Sequence, residues 1–392
     1  MSPLNALSCL YFDSASTTAI DPDVVAEMTD ALLSLVGNPS AGSHADGQAA
    51  ARRIEHCREL VAEEFGCEPD EVVFTSGATE SDNLALMGVA RAYADRGRHL
   101  IVSAIEHRAV LACAEQLERE GFEISRIQPD AAGVVRPEAV AAALRPETLL
   151  ISVMHTNNEI GVLQPIEAIA EVAAEAGVLF HVDAAQAAGK TAIDLESIPI
   201  DLLTASAHKL HGPKGIGCLV IRNRRQLRLA PLMHGGEQEG GLRPGTLPVH
   251  QIIGFASALA KAARRRDTDR AQVTAVRERF LHTLTAAMPV IVHGADAPRS
   301  PYILGLSIPG ISSDALINQL ADSLALSSGS ACSSGTVEPS HVLRAMGVED
   351  QALYSAFRVS FDRTHSVEQA EQAARLIIDA VQRIQDLMLQ SP

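Results

Sequence analysis

The sequence predicts an α/β protein in which a mostly parallel sheet is covered by helices on both faces. From Val72 onward, short apolar runs alternate with longer segments whose apolar residues recur about every 3.6 positions. Such alternation favours parallel pairing, because each helix carries the chain back across the sheet. The 392 residues, 47% of them hydrophobic, are enough to form a large core and two domains.

The apolar runs give the elements in chain order. Helices are predicted between the strands, among them 79–96 and 166–176. The predicted strands are 72–74, 100–102, 123–127, 149–153, 178–182, 202–205 and 216–221.

A smaller α+β unit is predicted after this sheet. A long Ala/Arg-rich helix over 255–279 bridges into it, and strands at 303–307 and 357–361 and a helix at 367–387 complete it.

The charge balance excludes one class of function. With 48 acidic and 32 basic residues the formal net charge is -16, so the chain lacks the basic footprint of a direct nucleic-acid binder.

The amino terminus has no basic segment before its short apolar patch, and no run approaches the length of a membrane span, so a cytoplasmic location is expected. The six cysteines lack Cys-x-x-Cys spacing, which predicts reduced thiols.

The segment 75–80, Thr-Ser-Gly-Ala-Thr-Glu, follows the first predicted strand and opens a helix. Ser76 is the predicted N-cap, and the free amides of Gly77 to Thr79 would form an anion cradle that fits a phosphate. The same pattern also fits an ordinary capped helix. A dinucleotide site is disfavoured, because no strand is followed by Gly-x-Gly-x-x-Gly.

Two further strand ends carry chemistry-bearing residues. Asp183 ends one strand, and Lys209 follows another in Ser206-Ala207-His208-Lys209. A lysine in this place can form a Schiff base with a carbonyl cofactor, and a carboxylate can pair with a pyridinium nitrogen. Taken singly, Asp183 also fits a solvated strand end and Lys209 a surface lysine. His208 and His211 have the spacing of a metal pair, but a third ligand is missing nearby.

Cys332 differs from the other cysteines by its context. It lies in a Ser/Gly-rich run that favours a flexible loop, where a thiol can act as a nucleophile. Arg358 alternates with apolar neighbours as a strand residue does; its guanidinium suits an amino-acid carboxylate, although a surface arginine fits the pattern equally. Inert buried thiols are predicted for Cys57, Cys67, Cys113 and Cys218.

These motifs together resemble the cysteine desulfurases, a pyridoxal-phosphate family that moves sulfur from L-cysteine to its own cysteine. The resemblance covers about residues 11–383 and is strongest at Ser206–Lys209, at Ser-Ser-Gly-Ser-Ala-Cys ending in Cys332, and at 338–345. It implies the pyridoxal-phosphate aminotransferase fold, fold type I. It also implies a large cofactor-binding domain of residues 16–262 and a small domain of residues 1–15 and 263–392, with a mobile cysteine loop at about 327–337.

The resemblance also implies roles for individual residues. Lys209 would bind pyridoxal phosphate covalently, Asp183 would pair with its ring nitrogen, Gln186 would donate to its phenolic oxygen, and His107 would stack on its ring. Cys332 would accept sulfur, and His107 is a candidate proton donor or acceptor near the substrate thiol. The phosphate would be held by Ala78, Thr79, Ser206 and His208, joined by Thr246 from the other subunit of a homodimer, while Asn158 and Arg358 would contact the ring and the substrate.

The implied reaction converts L-cysteine to L-alanine and leaves a persulfide on Cys332 for a sulfur-acceptor protein. That acceptor would belong to iron-sulfur cluster assembly or to thio-modification of transfer RNA or DNA. An aminotransferase or a selenocysteine lyase of the same fold would share the cofactor site without needing Cys332, and a non-catalytic scaffold would not need Lys209, Asp183 and Gln186 together.

Two positions depart from the family pattern, where Gly240 replaces a common arginine and Phe361-Asp362 replaces a more usual Leu-Gly. The chain also stops soon after 382–387, whereas many long-loop relatives carry an extension that docks a cluster scaffold. A dedicated acceptor, such as one for nucleic-acid thiolation, is therefore expected.

Overall fold

The computed structural model describes residues 9–328 and 339–390. Its strands are β1 (Leu10–Tyr11), β2 (Val72–Thr75), β3 (His99–Ser103), β4 (Glu123–Ile127), β5 (Thr148–Ser152), β6 (Leu179–Asp183), β7 (Leu202–Ser206), β8 (Gly217–Ile221), β9 (Ile291–Val292), β10 (Ile303–Ser307), β11 (Leu324–Ala325), β12 (Ser327–Ser328) and β13 (Ala356–Ser360). Its α-helices are α1 (Pro22–Ser34), α2 (Ala45–Phe65), α3 (Ala78–Ala92), α4 (Arg108–Arg119), α5 (Pro137–Ala142), α6 (Ile166–Ala176), α7 (Val249–Ala287), α8 (Ser313–Leu320), α9 (His341–Ala345), α10 (Asp350–Leu353) and α11 (Val367–Gln390).

Seven strands form one sheet in the order β2-β8-β7-β6-β5-β3-β4. Only β8 runs antiparallel to its neighbours in this sheet, so the prediction of a mostly parallel sheet is confirmed. The parallel strands β2, β3, β5, β6 and β7 therefore end at one edge. The loops that follow them meet there, which is where ligands bind in open α/β sheets.

Both faces of this sheet are buried. Along β3, the side chains of Leu100 and Val102 join the core beneath α3 and α4, while Ile101 joins the core beneath α2, α6 and the first half of α7. Successive strand residues point to opposite faces, so a strand covered on both sides is apolar throughout.

The long bridging helix is longer than the predicted range 255–279. It begins after Pro248 and ends where Met288 becomes extended, at φ -157 and ψ 158. Pro289 follows, and a residue before proline is driven out of the helical region.

The second half of α7 packs with α8 and α11 on a four-stranded sheet ordered β12-β13-β10-β9. Its pairs are antiparallel, and Ser327 lies directly opposite Arg358. The predicted strands at 303–307 and 357–361 and the terminal helix are all present.

The first described residues connect the two sheets. Asp13 forms a β-bridge with Ser360 beside the smaller sheet, and Thr18 N donates to His208 O beside the larger one. None of the helices in residues 9–328 and 339–390 is long and apolar enough to cross a membrane.

Candidate active site

A cavity of about 620 Å³ opens at the edge of the sheet where the parallel strands end. It brings together residues from the segment 75–80, from the ends of β6 and β7, and from β13. The predicted site residues that line it are Ala78, Thr79, His107, Asn158, Asp183, Gln186, Ser206, His208, Lys209 and Arg358.

The cradle at the start of α3 differs in detail from the prediction. The N-cap is Gly77 and not Ser76, with a φ of 143° that favours glycine. Ser76 N instead donates to Glu80 Oε2 at 2.7 Å, and Arg243 Nε holds the other oxygen of that carboxylate at 3.0 Å. A glycine N-cap has no side chain to occupy the helix amides, which leaves them available to an anion.

Lys209 reaches the cavity from the short turn that follows β7. Its Nζ donates to Ala15 O at 2.5 Å and to Ser16 O at 2.8 Å. Burial, together with the positive charge of Arg358, lowers the pKa of Lys209 to about 8. The whole chain has only four lysines, and Lys209 and Lys214 both line this cavity.

Asp183 ends β6 with its carboxyl group at the cavity. Its Oδ1 accepts from Ala185 N at 2.8 Å, and the side chain is buried. Burial raises the pKa of Asp183, opposed by that hydrogen bond and by the positive charges of His107 and Lys209. A cation placed against this carboxylate would therefore stabilise its ionised form.

His107 is the N-cap of α4, where its Nδ1 accepts from Ala109 N at 3.2 Å. A ring nitrogen that accepts carries no proton, so the neutral ring has its proton on Nε2. Burial lowers the pKa of His107, which favours this neutral form.

Arg358 lies on β13 of the smaller sheet and points back to the cavity. Its Nη2 contacts Asp13 Oδ1 at 2.8 Å, Ser16 Oγ at 2.7 Å and Ser327 Oγ at 2.9 Å, and its Nη1 donates to Asn158 O. The buried Nε has no hydrogen-bond partner in the described parts of the chain.

The turn of residues 13–16 was missed by the sequence reasoning. It supplies the carboxylate, hydroxyl and carbonyl groups that hold Arg358 and Lys209. Its only sequence signal is a polar run, Asp-Ser-Ala-Ser, directly after an apolar pair, because its partners lie about 190 and 345 positions away.

Two buried acids beneath the site were also missed. Glu106 is fully buried, with Oε1 accepting from Ser103 Oγ and Met154 N, and burial raises its pKa to about 8. Asp82 is fully buried 3.6 Å from His181 Nε2, and burial lowers the pKa of that histidine to about 3. Burial also raises the pKa of Asp82 well above its usual value. Burial therefore favours the neutral form of each acid.

Comparison with known proteins places this site in a family. The class-V aminotransferase family profile matches residues 10–373. The cysteine desulfurase IscS of Pseudomonas putida is 45% identical over 380 residues, which cover 96% of this chain and 94% of that protein. The chain belongs to the cysteine desulfurases of the class-V aminotransferase family.

Solved structures agree with that assignment. A NifS-like protein superposes with a TM-score of 0.89 at 33% identity, covering 95% of this chain and 99% of its own. A structure described as SspA in complex with cysteine gives 0.80 at 35% identity, covering 90% and 98%. The predicted aminotransferase fold is confirmed.

Two predicted desulfurase residues do not line the described cavity. Cys332 lies outside the described residues, and Ser327 and Ser328, at the start of its predicted loop, form β12. Thr246 is exposed and does not line the cavity of its own chain. Its assignment to the partner subunit's site stays a prediction.

The other cysteines that the sequence classed as inert are poor nucleophiles in this fold. Burial raises the pKa of Cys57 to about 11 and that of Cys67 and Cys113 to about 12, and it raises the pKa of Cys218 as well. None of the five described cysteines lines the cavity.

The first departure from the family pattern has a steric reason. Gly240 has a φ of 63°, and a Cβ there would lie 2.5 Å from Arg224 Nη2. Arg224 donates to Glu239 O, and the Glu239 carboxylate is buried against Arg58 Nη2 at 2.7 Å. A side chain at position 240 would therefore displace the arginine that holds this loop.

The second departure puts a new carboxylate behind the site. Asp362 is buried, and its Oδ2 accepts from Ser14 Oγ at 2.8 Å. It therefore braces the turn of residues 13–16 through Ser14.

Proposed function

We propose that the protein is a pyridoxal-phosphate-dependent cysteine desulfurase, which converts L-cysteine to L-alanine and transfers the sulfur to Cys332. The observation that carries this proposal is that Ser16 contacts both Lys209 and Arg358. Lys209 Nζ is 2.8 Å from Ser16 O, and Arg358 Nη2 is 2.7 Å from Ser16 Oγ. Lys209, which can bind an aldehyde, and Arg358, which can bind a carboxylate, thus contact the same residue. An α-amino acid substrate requires two such groups close together.

The cavity has the donor set that the cofactor needs. The glycine-capped start of α3, with Ala78, Thr79, Ser206 and His208, would hold the phosphate. Burial lowers the pKa of His208 to about 4, so this residue would bind the phosphate as a neutral donor.

The ring would be held at the opposite end of the cavity. Asp183 would pair with the ring nitrogen, Gln186 would donate to the phenolic oxygen, and His107 would cover the ring face. Bound through Lys209, pyridoxal phosphate supplies an electron-accepting ring next to the substrate carbon.

Arg358 and Asn158 would orient the amino acid. The Nε of Arg358, buried and unpartnered in the described residues, gives the guanidinium an unused donor for the substrate carboxylate. The contact between Arg358 Nη2 and Asp13 fixes the plane of the guanidinium.

Lys209 and His107 would move the protons. Because the pKa of Lys209 is about 8, its amine can both remove and return the Cα proton near neutral pH. His107, with its proton on Nε2, would donate a proton to the substrate thiol or accept one from it.

Cys332 would complete the reaction as a thiolate. It attacks the substrate sulfur, an S–S bond forms, and the Cβ–S bond breaks; the electron pair stays on carbon, which takes a proton to become alanine. We assign the onward transfer of sulfur to an acceptor protein in the cytoplasm. The phosphate site would be completed by Thr246 from the other subunit of a homodimer. Any contact with nucleic acid would be made by the acceptor protein. The net charge of -16 supports that last assignment.

The test is to reconstitute the purified protein with pyridoxal phosphate and L-cysteine. We expect equal amounts of L-alanine and transferred sulfur, with a mass increment of one sulfur atom on the peptide that contains Cys332. Alanine or keto-acid formation without sulfur on Cys332 would instead indicate a lyase or an aminotransferase.

A further inference from the structure

A second lysine lies beneath the candidate active site. Lys190 Nζ donates to Gln186 Oε1 at 3.3 Å and lies 5.3 Å from the centre of the Tyr302 ring. It is one of only four lysines in a chain that otherwise uses arginine. Arginine has a rigid planar fork, whereas an ammonium is a compact point charge, so a lysine suits this narrow position.

The contacts with Lys190 and Ala15 together determine how Gln186 presents its amide. An ammonium group only donates, so the atom facing Lys190 must be the amide oxygen. The amide nitrogen, Nε2, is then directed at Ala15 O, 2.9 Å away, and at the main cavity that Gln186 lines. Ala15 O can only accept, so Lys190 and Ala15 hold opposite ends of the amide in the same orientation.

The charge of Lys190 needs a partner, because its surroundings are mostly cationic. The positive charges of Lys209 and Arg358, together with burial, disfavour its protonated form. A second cavity of about 30 Å³, large enough to hold a water molecule, is lined by Lys190, Lys209 and two carboxylates, those of Asp269 and Asp362. The other titratable groups at this cavity or beside Asp362 are His211, His365, Tyr302 and Arg363.

Asp362 is the carboxylate available to Lys190. Asp269 is already paired with Arg265 at 3.1 Å and with Arg363 at 3.8 Å. Asp362 has no arginine or lysine within salt-bridge distance in the described residues, and it favours the charged form of Lys190. Its Oδ1 accepts from Thr364 N at 2.8 Å and its Oδ2 from Ser14 Oγ at 2.8 Å, so its position is fixed.

We propose that Asp362 is the buried counter-charge of Lys190, and that this pair positions the amide of Gln186 toward the cofactor's phenolic oxygen. Both are positioning residues, since they act through Gln186. The proposal rests on the proposed function for the role of Gln186.

The charge pair is tested in the apoprotein, without reference to activity. Selective ¹³C labelling of lysine gives four side-chain signals, whose pH titration reports each pKa, with that of Lys190 expected near 7. Asp362→Asn keeps the acceptor for Thr364 and should lower the pKa of Lys190 by about one unit. Asp362→Gly, which removes the carboxylate, should do the same, and the exposed control Asp322→Asn should not. An unchanged Lys190 titration in both Asp362 variants would overturn the pair.

The positioning role is tested on the bound cofactor by its visible absorption. We expect Lys190→Met and Gln186→Leu to move the pH midpoint of that absorption in the same direction, and the double variant to match Gln186→Leu alone. Fully additive shifts, or a wild-type midpoint in Lys190→Met, would refute the positioning role. If wild-type enzyme formed no alanine while the Lys190 titration shifted as expected, the proposed function would fail and the charge pair would stand.

Discussion

Asp13 and Arg358, 345 residues apart in the chain, form an ion pair across the candidate active site, with Asp13 Oδ1 2.8 Å from Arg358 Nη2. Asp13 also accepts from Ser327 Oγ at 2.7 Å. The pair leaves the Nε of Arg358 without a partner in the described residues, so the guanidinium is held on one side and available on the other.

Arg358→Lys should raise KM for L-cysteine by roughly 10- to 100-fold and leave cofactor binding intact. A lysine cannot keep both the contact with Asp13 and the hydrogen bond that Nε offers to a carboxylate, a loss of about 1.5–3 kcal/mol. Steady-state kinetics and the cofactor spectrum would check this. Arg126→Lys, in the surface pair with Glu118, is the matched control and should change neither. An unchanged KM would remove Arg358 from the substrate site.

Lys209→Ala should abolish alanine formation, because the described cavity offers no other amine in that position to bind the aldehyde. Cofactor should still bind, through the phosphate cradle alone, with the absorption of a free aldehyde. Lys261→Arg, which keeps the charge paired with Asp21 and Asp23, serves as the control. Near-normal alanine production by Lys209→Ala would show that the assignment is wrong.

Covalent attachment of the cofactor to Lys209 should depend on pH with a midpoint near 8. The attacking species is the neutral amine, and its fraction falls about tenfold for each pH unit below the pKa of about 8. The attachment rate of apoprotein, followed by stopped-flow absorbance, should therefore rise up to about pH 8 and level off above it. A rate still rising at pH 10 would mean that burial does not lower the pKa of Lys209.

Cys332→Ser should separate the early steps from sulfur transfer. Cofactor binding and the spectral response to L-cysteine depend on other groups, so both should remain, whereas alanine and sulfide release should nearly cease. Cys9→Ser, which removes a half-buried thiol outside the cavity, should retain full activity. Full activity in Cys332→Ser would favour a lyase or an aminotransferase.

Glu106→Gln should stabilise the fold at alkaline pH. The folded pKa of Glu106, about 8, lies above its unfolded value near 4.5, so folding favours the protonated acid. Its contribution is complete below the unfolded pKa and is lost as the pH rises to about 8. Glutamine keeps the acceptor for Met154 N and cannot ionise.

Thermal unfolding at two pH values would measure this. We expect Glu106→Gln and wild type to melt nearly alike at pH 5, and the variant to be more stable at pH 9 by up to about 5 kcal/mol. Equal melting temperatures at pH 9 would indicate that Glu106 is ionised without penalty.

The elements and the motif residues can be predicted from the sequence, because both depend on neighbours close in the chain. Apolar runs such as 100–102 show buried strands directly, and Lys209 and Asp183 are recognisable from the strands they follow. The predicted start of a helix differs from the observed one where a single residue decides it. For α3 the N-cap was predicted at Ser76 but is Gly77, which adopts a conformation that is costly for other residues.

The tertiary structure alone decided what surrounds those motifs. Asp13, Ser14 and Ser16 act on partners in other elements, and no periodicity in the chain signals a contact made across more than 190 residues. The raised pKa values of Glu106 and Asp82 could not be predicted from the sequence either. The pKa of a carboxyl group depends on the water that folding removes and on the charges that it brings near. Asp362 is the clearest case: in the sequence it is a departure from a pattern, and only the fold places its carboxylate at the small cavity shared with Lys190 and Lys209.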